Sequence, residues 1–122
     1  MAGTDDHTII LRLQNAWIAA ETADRVDDLC ALMTPDIIFQ PPVGTPVVGR
    51  ARVRDYLAAD SPPIHRIILS EVAVELSGAL AVKRAAFRTE FASGAVVAGR
   101  HLWVLRAPWR VAFVTWSFDS QP

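Results

Sequence analysis

The sequence predicts an α+β fold, with helices in the first half of the chain and strands in the second. Apolar residues recur at helical spacing over residues 8–23. Beyond Ile64 the composition changes to four long segments rich in β-branched and aromatic residues. Short turns such as Ser77-Gly78 separate these segments, which is typical of an antiparallel meander. We therefore expect three helices packed on one face of a curved, mostly antiparallel sheet.

Two helices are expected before the first strand. The first, over residues 8–23, carries apolar residues at spacings of three and four: Ile9, Ile10, Leu13, Ala16, Trp17 and Ala20. The second should begin with Asp24 as its N-cap and end near Met33. Asp27 and Asp28 would then lie in its first turn, where carboxylates meet the positive end of the helix dipole.

The remaining elements follow from periodicity and from turn residues. A short strand over residues 36–40 should end before Pro41 and Pro42, which cannot donate sheet hydrogen bonds. After a turn around Gly44, helical spacing predicts a third helix over residues 50–59, which ends before Pro62. The long strands are expected over residues 64–76, 80–91, 96–105 and 109–118.

Length, composition and charge limit the class of protein. The 122 residues, 52% of them hydrophobic, suffice for one domain over residues 1–122. The net charge is −1 without a basic run, so nucleic acid is not expected as a partner. The N-terminal segment has no secretory signal, and no apolar run approaches the roughly 20 residues of a membrane helix. A cytoplasmic protein without a membrane partner is therefore expected.

Both faces of the last two strands are apolar. Leu102 and Val104 alternate with two further large apolar residues, and the final strand shows the same pattern. A monomer rarely leaves several large aromatic side chains together in water. We therefore expect a homodimer through the outer sheet face, which would carry Trp103, Leu105, Val114 and Trp116.

Several segments resemble ketosteroid isomerases. They are AAETAD at 19–24, LMTPD at 32–36, QPPVG at 40–44, VGRARVRDYL at 48–57, RHLW at 100–103 and WRVAF at 109–113. The likeness covers nearly the whole chain and extends to SnoaL-like polyketide cyclases of the wider nuclear transport factor 2-like superfamily. It implies a cone-shaped roll with the cystatin-like fold, built around a cavity for a small apolar molecule.

The resemblance also implies that the catalytic residues of the steroid isomerases are missing. Those enzymes use a tyrosine on the first helix, an aspartate base before a Pro-Val-Gly turn and a protonated aspartate on the strand before the last. The matching positions here are Trp17, Pro41 and Arg100. Proline cannot accept a proton, and arginine remains cationic. Steroid isomerisation is therefore not expected of this chain.

The strand parity of the isomerases implies a mostly apolar set of pocket residues. They are Trp17, Met33, Phe39, Pro41, Val43, Leu57, Phe87, Thr89, Leu102, Phe113 and Thr115. Arg100 would join them as a catalytic candidate, because a guanidinium among apolar neighbours needs an anionic partner. A salt bridge to a protein carboxylate is the competing interpretation. His65 is the second catalytic candidate, since imidazole titrates near neutrality, whereas His101 is expected at the dimer surface.

The epoxide hydrolases of the superfamily use an acid–arginine relay, and this sequence supplies its residue types in Arg84, Arg88, Glu71, Glu75 and Glu90. Alternation, however, places Arg84, Arg88 and Glu90 on the side away from the apolar face. We therefore expect exposed ion pairs there rather than a relay.

Neither a metal nor a cofactor is expected. The three histidines lie on separate elements, and Cys30, the only cysteine, is expected in the core. Phosphate-loop and serine-hydrolase motifs are also missing. Two functions stay open. One is an acid–base isomerase, cyclase or dehydratase on a small apolar or anionic molecule, with Arg100 stabilising negative charge. The other is a non-catalytic ligand-binding or dimerisation module.

Overall fold

A computed structural model describes residues 2–59 and 61–119 of the chain, with side chains from Asp5 onwards. The elements are α1 (Ala2–Thr22), α2 (Val26–Cys30), β1 (Met33–Gln40), β2 (Val47–Val48), α3 (Arg50–Ala58), β3 (Ile64–Ser77), β4 (Leu80–Phe91), β5 (Val96–Arg106) and β6 (Arg110–Phe118). The expected α+β class, with helices packed on a sheet, is confirmed. None of the helices described is long and apolar enough to cross a membrane.

The six strands form one mixed sheet in the order β2-β1-β6-β5-β4-β3. Strands β3 to β6 are the expected antiparallel meander. β1 pairs with β6 in parallel, and β2 pairs with β1 antiparallel. The two-residue strand β2 was not expected, because it lies among the turn residues Pro46 and Gly49.

Helix α1 begins at Ala2 rather than at residue 8. Asp5 lies in its first turn, where a carboxylate stabilises the positive end of the helix dipole. Asp6 accepts a hydrogen bond of 3.0 Å from Trp109 Nε1. The early turns of α1 are thereby fixed to the turn between β5 and β6.

The expected N-cap at Asp24 is wrong. The φ angle of Asp24 is 57°, which lies in the left-handed region that aspartate tolerates better than most residues. The Arg25 amide donates to the Ala20 carbonyl at 2.8 Å, so this turn closes α1 in the manner of a Schellman motif. Arg25 precedes α2 without a side-chain cap, and α2 is limited to five residues.

The core lies between the helices and one face of the sheet, which we call the inner face. Trp17 of α1 packs against Trp103 of β5, with ring centroids 4.6 Å apart. Cys30 is buried, as expected. The fully buried apolar residues are Ile10, Met33, Ile37, Val53, Leu105 and Val111.

The parity of β5, and of β6 from Phe113 onwards, is the reverse of the expected one. Trp103 and Leu105 are 2% and 0% exposed and belong to the core. Val114 is also in the core, and Trp116 packs against it. These four residues therefore lie on the inner face, so the expected composition of the dimer surface is wrong.

A β-bulge explains why simple alternation fails on β6. Val104 pairs with Phe113, whereas the next residue, Leu105, pairs with Val111, so Ala112 is the extra residue of the bulge. Val111 therefore faces the core together with residue 114, three positions further on.

Candidate functional site

A cavity of about 650 Å³ lies between the helices and the inner face of the sheet. Its size is in the range of cavities that hold drug-sized molecules. All three helices contribute to its wall, as do β1 and the four long strands. The wall is mostly apolar, and its large aromatic residues include Trp17, Phe39, Phe87, Trp103, Trp116 and Phe118.

The aromatic rings of the wall contact one another mainly in tilted and edge-on arrangements. Phe39 meets Trp116 edge-on, with ring centroids 6.0 Å apart, and meets Tyr56 in the same way at 6.2 Å. Phe87 packs edge-on against Phe118 at 6.3 Å. Such contacts fix the rings in place and present flat apolar surfaces, which suit a ligand with rings of its own.

Lys83, the only lysine in the chain, lies on the inner face of β4. Its side chain is 0% exposed, and its neighbours on the same face, Ala81 and Ala85, are also buried. Its Nζ atom lies 2.8 Å from Nε2 of His101 and 4.1 Å from the centroid of the Trp103 ring. Among the described residues, no carboxylate forms an ion pair with Lys83.

His101 lines the cavity directly in front of Lys83. Its ring stacks between Trp103, at 5.2 Å and 16°, and Phe87, at 6.2 Å and 12°. Burial, together with the charge of Lys83, lowers the pKa of His101 to about 3. Burial also lowers the pKa of Lys83 from 10.5 to about 7. At neutral pH the imidazole is therefore uncharged, and the amine is close to half protonated.

Charged residues also line the cavity at the turn between α1 and α2. They are Glu21, Asp24 and Arg25, and all three remain accessible to water. Surrounding protein atoms reduce the hydration of the Glu21 carboxylate and so raise its pKa. A hydrogen bond donated by the Trp17 side chain offsets part of that effect. The cavity thus has an imidazole on its sheet wall in His101 and a charged group of residues at this turn.

The family model of the SnoaL-like domain matches residues 15–116. The chain belongs to the SnoaL-like family. No curated protein matches the sequence.

Solved structures resemble this SnoaL-like chain over nearly its whole length. A nuclear transport factor 2-like protein with a cystatin-like fold, from Novosphingobium aromaticivorans, has a TM-score of 0.84 and 16% identity, covering 98% of this chain and 85% of that one. A candidate aromatic ring hydroxylase of the same species has a TM-score of 0.81 and 25% identity, covering 97% and 92%. A ketosteroid isomerase-like protein from Erwinia carotovora has a TM-score of 0.77 and 21% identity, covering 93% of this chain and 96% of that one. The expected cystatin-like fold is confirmed.

The SnoaL-like cavity contains part of the expected pocket set. The expected residues on its wall are Trp17, Phe39, Leu57, Phe87 and Thr89. Met33 is instead fully buried in the core, Pro41 lies outside the cavity, and Val43 is 86% exposed in the loop after β1. The reversed parity of β5 and β6 places three more on the outer face of the sheet: Leu102, Phe113 and Thr115.

The two catalytic candidates named from the sequence lie outside the cavity. Arg100 is on the outer face, where its 61% exposed side chain lies 3.4 Å from Glu71 Oε2. This is the salt bridge that the competing interpretation described. His65 is exposed on β3 and does not line the cavity. The inward residue next to Arg100 is His101, which was expected at the dimer surface.

The described residues bring together no group of three or more His, Cys, Asp or Glu side chains that could hold a metal ion.

The pair of Lys83 and His101 was not predicted from the sequence. A signal for it was present, because the single lysine of the chain is in phase with Ala81, Ala85 and Phe87 on β4.

Proposed function

We propose that this SnoaL-like chain is an acid–base enzyme acting on a small, mostly apolar ring compound inside the cavity. The observation that carries the proposal is the uncharged imidazole of His101 on a wall that is otherwise mostly apolar. An apolar cavity with very few polar groups binds apolar molecules and uses those groups to orient them. The fold alone does not specify the reaction, so the proposal depends on His101.

His101 would exchange a proton with a bound ligand. Nε2 of the ring contacts Nζ of Lys83. When that amine is uncharged, Nε2–H donates to it, and the lone pair of Nδ1 is left to take a proton from the ligand. Isomerisation, aldol-type cyclisation and β-elimination of water from carbonyl compounds can each begin with loss of a proton from the carbon next to the carbonyl group. A histidine held in place by a second residue is a common group for this step.

Exchange of the α-protons of 2-tetralone in D₂O tests this proposal. 2-Tetralone is an apolar bicyclic ketone, and we expect the protein to accelerate the exchange over buffer. His101→Phe should reduce that acceleration by about 10²-fold or more, as for loss of a positioned base. His65→Phe is the matched control and should leave the rate unchanged, since His65 is outside the cavity. Proton NMR measures both rates.

The same experiment distinguishes the second candidate function, a non-catalytic ligand-binding module. The low pKa of His101 favours this candidate, because an imidazole with a pKa of about 3 is a weak base. Binding of 2-tetralone without accelerated exchange would support the binding module. Equal acceleration by the unaltered protein and by His101→Phe would rule out His101 as the acid–base group.

A homodimer through the outer sheet face remains a prediction, now with different residues. One apolar row crosses five strands in register and consists of Val82, Val104, Phe113, Ile38 and Val48. A second copy of the chain would cover this row. Phe113→Glu should therefore yield monomer in sedimentation at micromolar concentration, whereas Val43→Glu, in an exposed loop, should remain dimeric. A monomeric unaltered protein would contradict the prediction.

A further inference from the structure

Lys83 combines complete burial with the lack of an anionic partner in the part of the chain that the structure describes. Its cross-strand neighbours are Val74 on β3 and Trp103 on β5. The buried face of α1 contributes one polar side chain, Gln14, which is uncharged. The other titratable groups that the structure describes around the cavity are Glu21, Asp24, Arg25, Tyr56 and His101.

None of these groups neutralises the lysine. Glu21, Asp24 and Arg25 lie at the turn between α1 and α2, and none of them forms an ion pair or hydrogen bond with Lys83. His101 is uncharged at neutral pH because of its burial. The contact with the Trp103 ring compensates for only part of the hydration free energy that the ammonium loses on burial. A protonated Lys83 is therefore a buried positive charge for which the described residues supply no counter-ion.

We propose that the cavity binds its ligand as an anion, an apolar ring compound with one carboxylate, phenolate or enolate oxygen held at His101, and that this anion keeps Lys83 protonated. The inference rests on the proposed function, since it requires a ligand in the cavity. The ammonium of Lys83 donates to Nε2 of His101, which places the ring proton on Nδ1. Nδ1–H then donates a hydrogen bond to the anion. The positive charge of Lys83, on the other side of the imidazole ring, also stabilises the anion, because the surrounding medium has a low dielectric constant.

Two probes of the same shape test the charge requirement. 2-Naphthoate carries a carboxylate, and 2-naphthamide is its neutral counterpart. At pH 6, where Lys83 is protonated, we expect the naphthoate to bind about tenfold more tightly or better. From pH 6 to pH 8 its affinity should fall roughly tenfold as the free amine loses its proton, whereas the amide should show no such change. Isothermal titration calorimetry measures both affinities.

Proton uptake gives a second measurement on the unaltered protein. The pKa of Lys83 in the free protein is about 7, and the bound anion should keep this amine protonated. Naphthoate binding should therefore take up about 0.5 proton at pH 7 and about 0.9 at pH 8. Calorimetry in two buffers with different ionisation enthalpies measures this number. Because Lys83 is the only lysine, protein labelled with ¹³C at lysine Cε gives one lysine resonance, whose titration should move to higher pH with naphthoate bound.

Two methionine variants separate Lys83 from the other face of the sheet. Lys83→Met should bind both probes equally and lose the pH dependence. Arg100→Met removes a cation from the neighbouring position on the outer face and should retain both effects. Because Lys83→Met replaces a buried charge by an apolar side chain, it should fold at least as well as the unaltered protein.

The outcomes separate this inference from the proposed function. Tight naphthoate binding with proton uptake and a displaced lysine titration supports it. Equal binding of both probes without pH dependence overturns the inference and leaves a ligand-binding cavity in place. Binding of neither probe overturns both. A charge preference that survives in Lys83→Met but is lost in Arg100→Met would assign the anion to the outer face and overturn the role of Lys83.

Discussion

Raising the pH from 7 to 9 should stabilise the fold by about 2 kcal/mol, opposite to the trend expected if surface charge repulsion dominated. The cause is Lys83, whose pKa burial lowers from 10.5 to about 7. Between these two values the unfolded chain binds more protons than the folded chain. The free energy of unfolding therefore rises with pH across this window. The added stability is lost again as the pH falls towards 7, because the buried amine then takes up a proton.

Urea unfolding at the two pH values, followed by tryptophan fluorescence, measures the effect. Lys83→Met should be more stable than the unaltered protein by roughly 3 kcal/mol at pH 7 and should lack the rise. The arginines do not titrate in this range. Cys30 acts in the opposite direction, because burial raises its pKa and the unfolded thiol ionises first. The comparison is therefore made in a Cys30→Ala background, where a level or falling stability would contradict the prediction.

The types and order of the main elements could be predicted because each has a strong local pattern. Strand β4 runs over Leu80–Phe91, as expected from its composition between two turns. The start of α1, the left-handed turn at Asp24 and the short strand β2 could not be predicted in this way. They depend on contacts with distant residues, such as the hydrogen bond from Trp109 to Asp6.

The inner face of β5 was harder to assign because both of its faces are apolar. A better criterion was present in the arginines: Arg100 and Arg106 are in phase with Leu102, which marks that side as the one nearer to water. Pairing with β4 leads to the same assignment. Arg84 was expected away from the core and lies directly opposite Leu102, and opposite residues share a face.

The candidate site was missed for the same reason. Assigning Arg100 inward sent His101 outward, so the one imidazole on the cavity wall was placed at the dimer surface. The ion pairs expected on the outer side are present, because Glu90 accepts hydrogen bonds from Arg66 at 2.8 Å and from Arg88 at 3.2 Å. Strand pairing would have assigned the residues of β5 opposite Arg84 and Arg88 to the same outer face. Lys83 and His101 would then both have been assigned to the inner face.

Gly99→Ala is expected to destabilise the fold by about 3 kcal/mol, although alanine normally suits a strand better than glycine. Gly99 is buried on β5, opposite Phe87 on β4 and Phe118 on β6. A Cβ atom there would overlap the backbone oxygen of Ser117 and would lie 2.9 Å from Cζ of Phe87. The backbone oxygen cannot rotate away as a side chain could, so β5 and β6 would have to separate.

The direction of the change makes this prediction decisive. Without crowding, replacing a strand glycine by alanine should stabilise the protein by about 0.5–1 kcal/mol. Urea unfolding of Gly99→Ala is compared with Arg100→Ala, an exposed neighbour whose loss should change stability by about 0.5 kcal/mol or less. Because Phe87 and Phe118 both line the cavity, Gly99→Ala should also weaken the binding of 2-naphthamide. A variant as stable as the unaltered protein would show that β6 does not approach β5 so closely at Gly99.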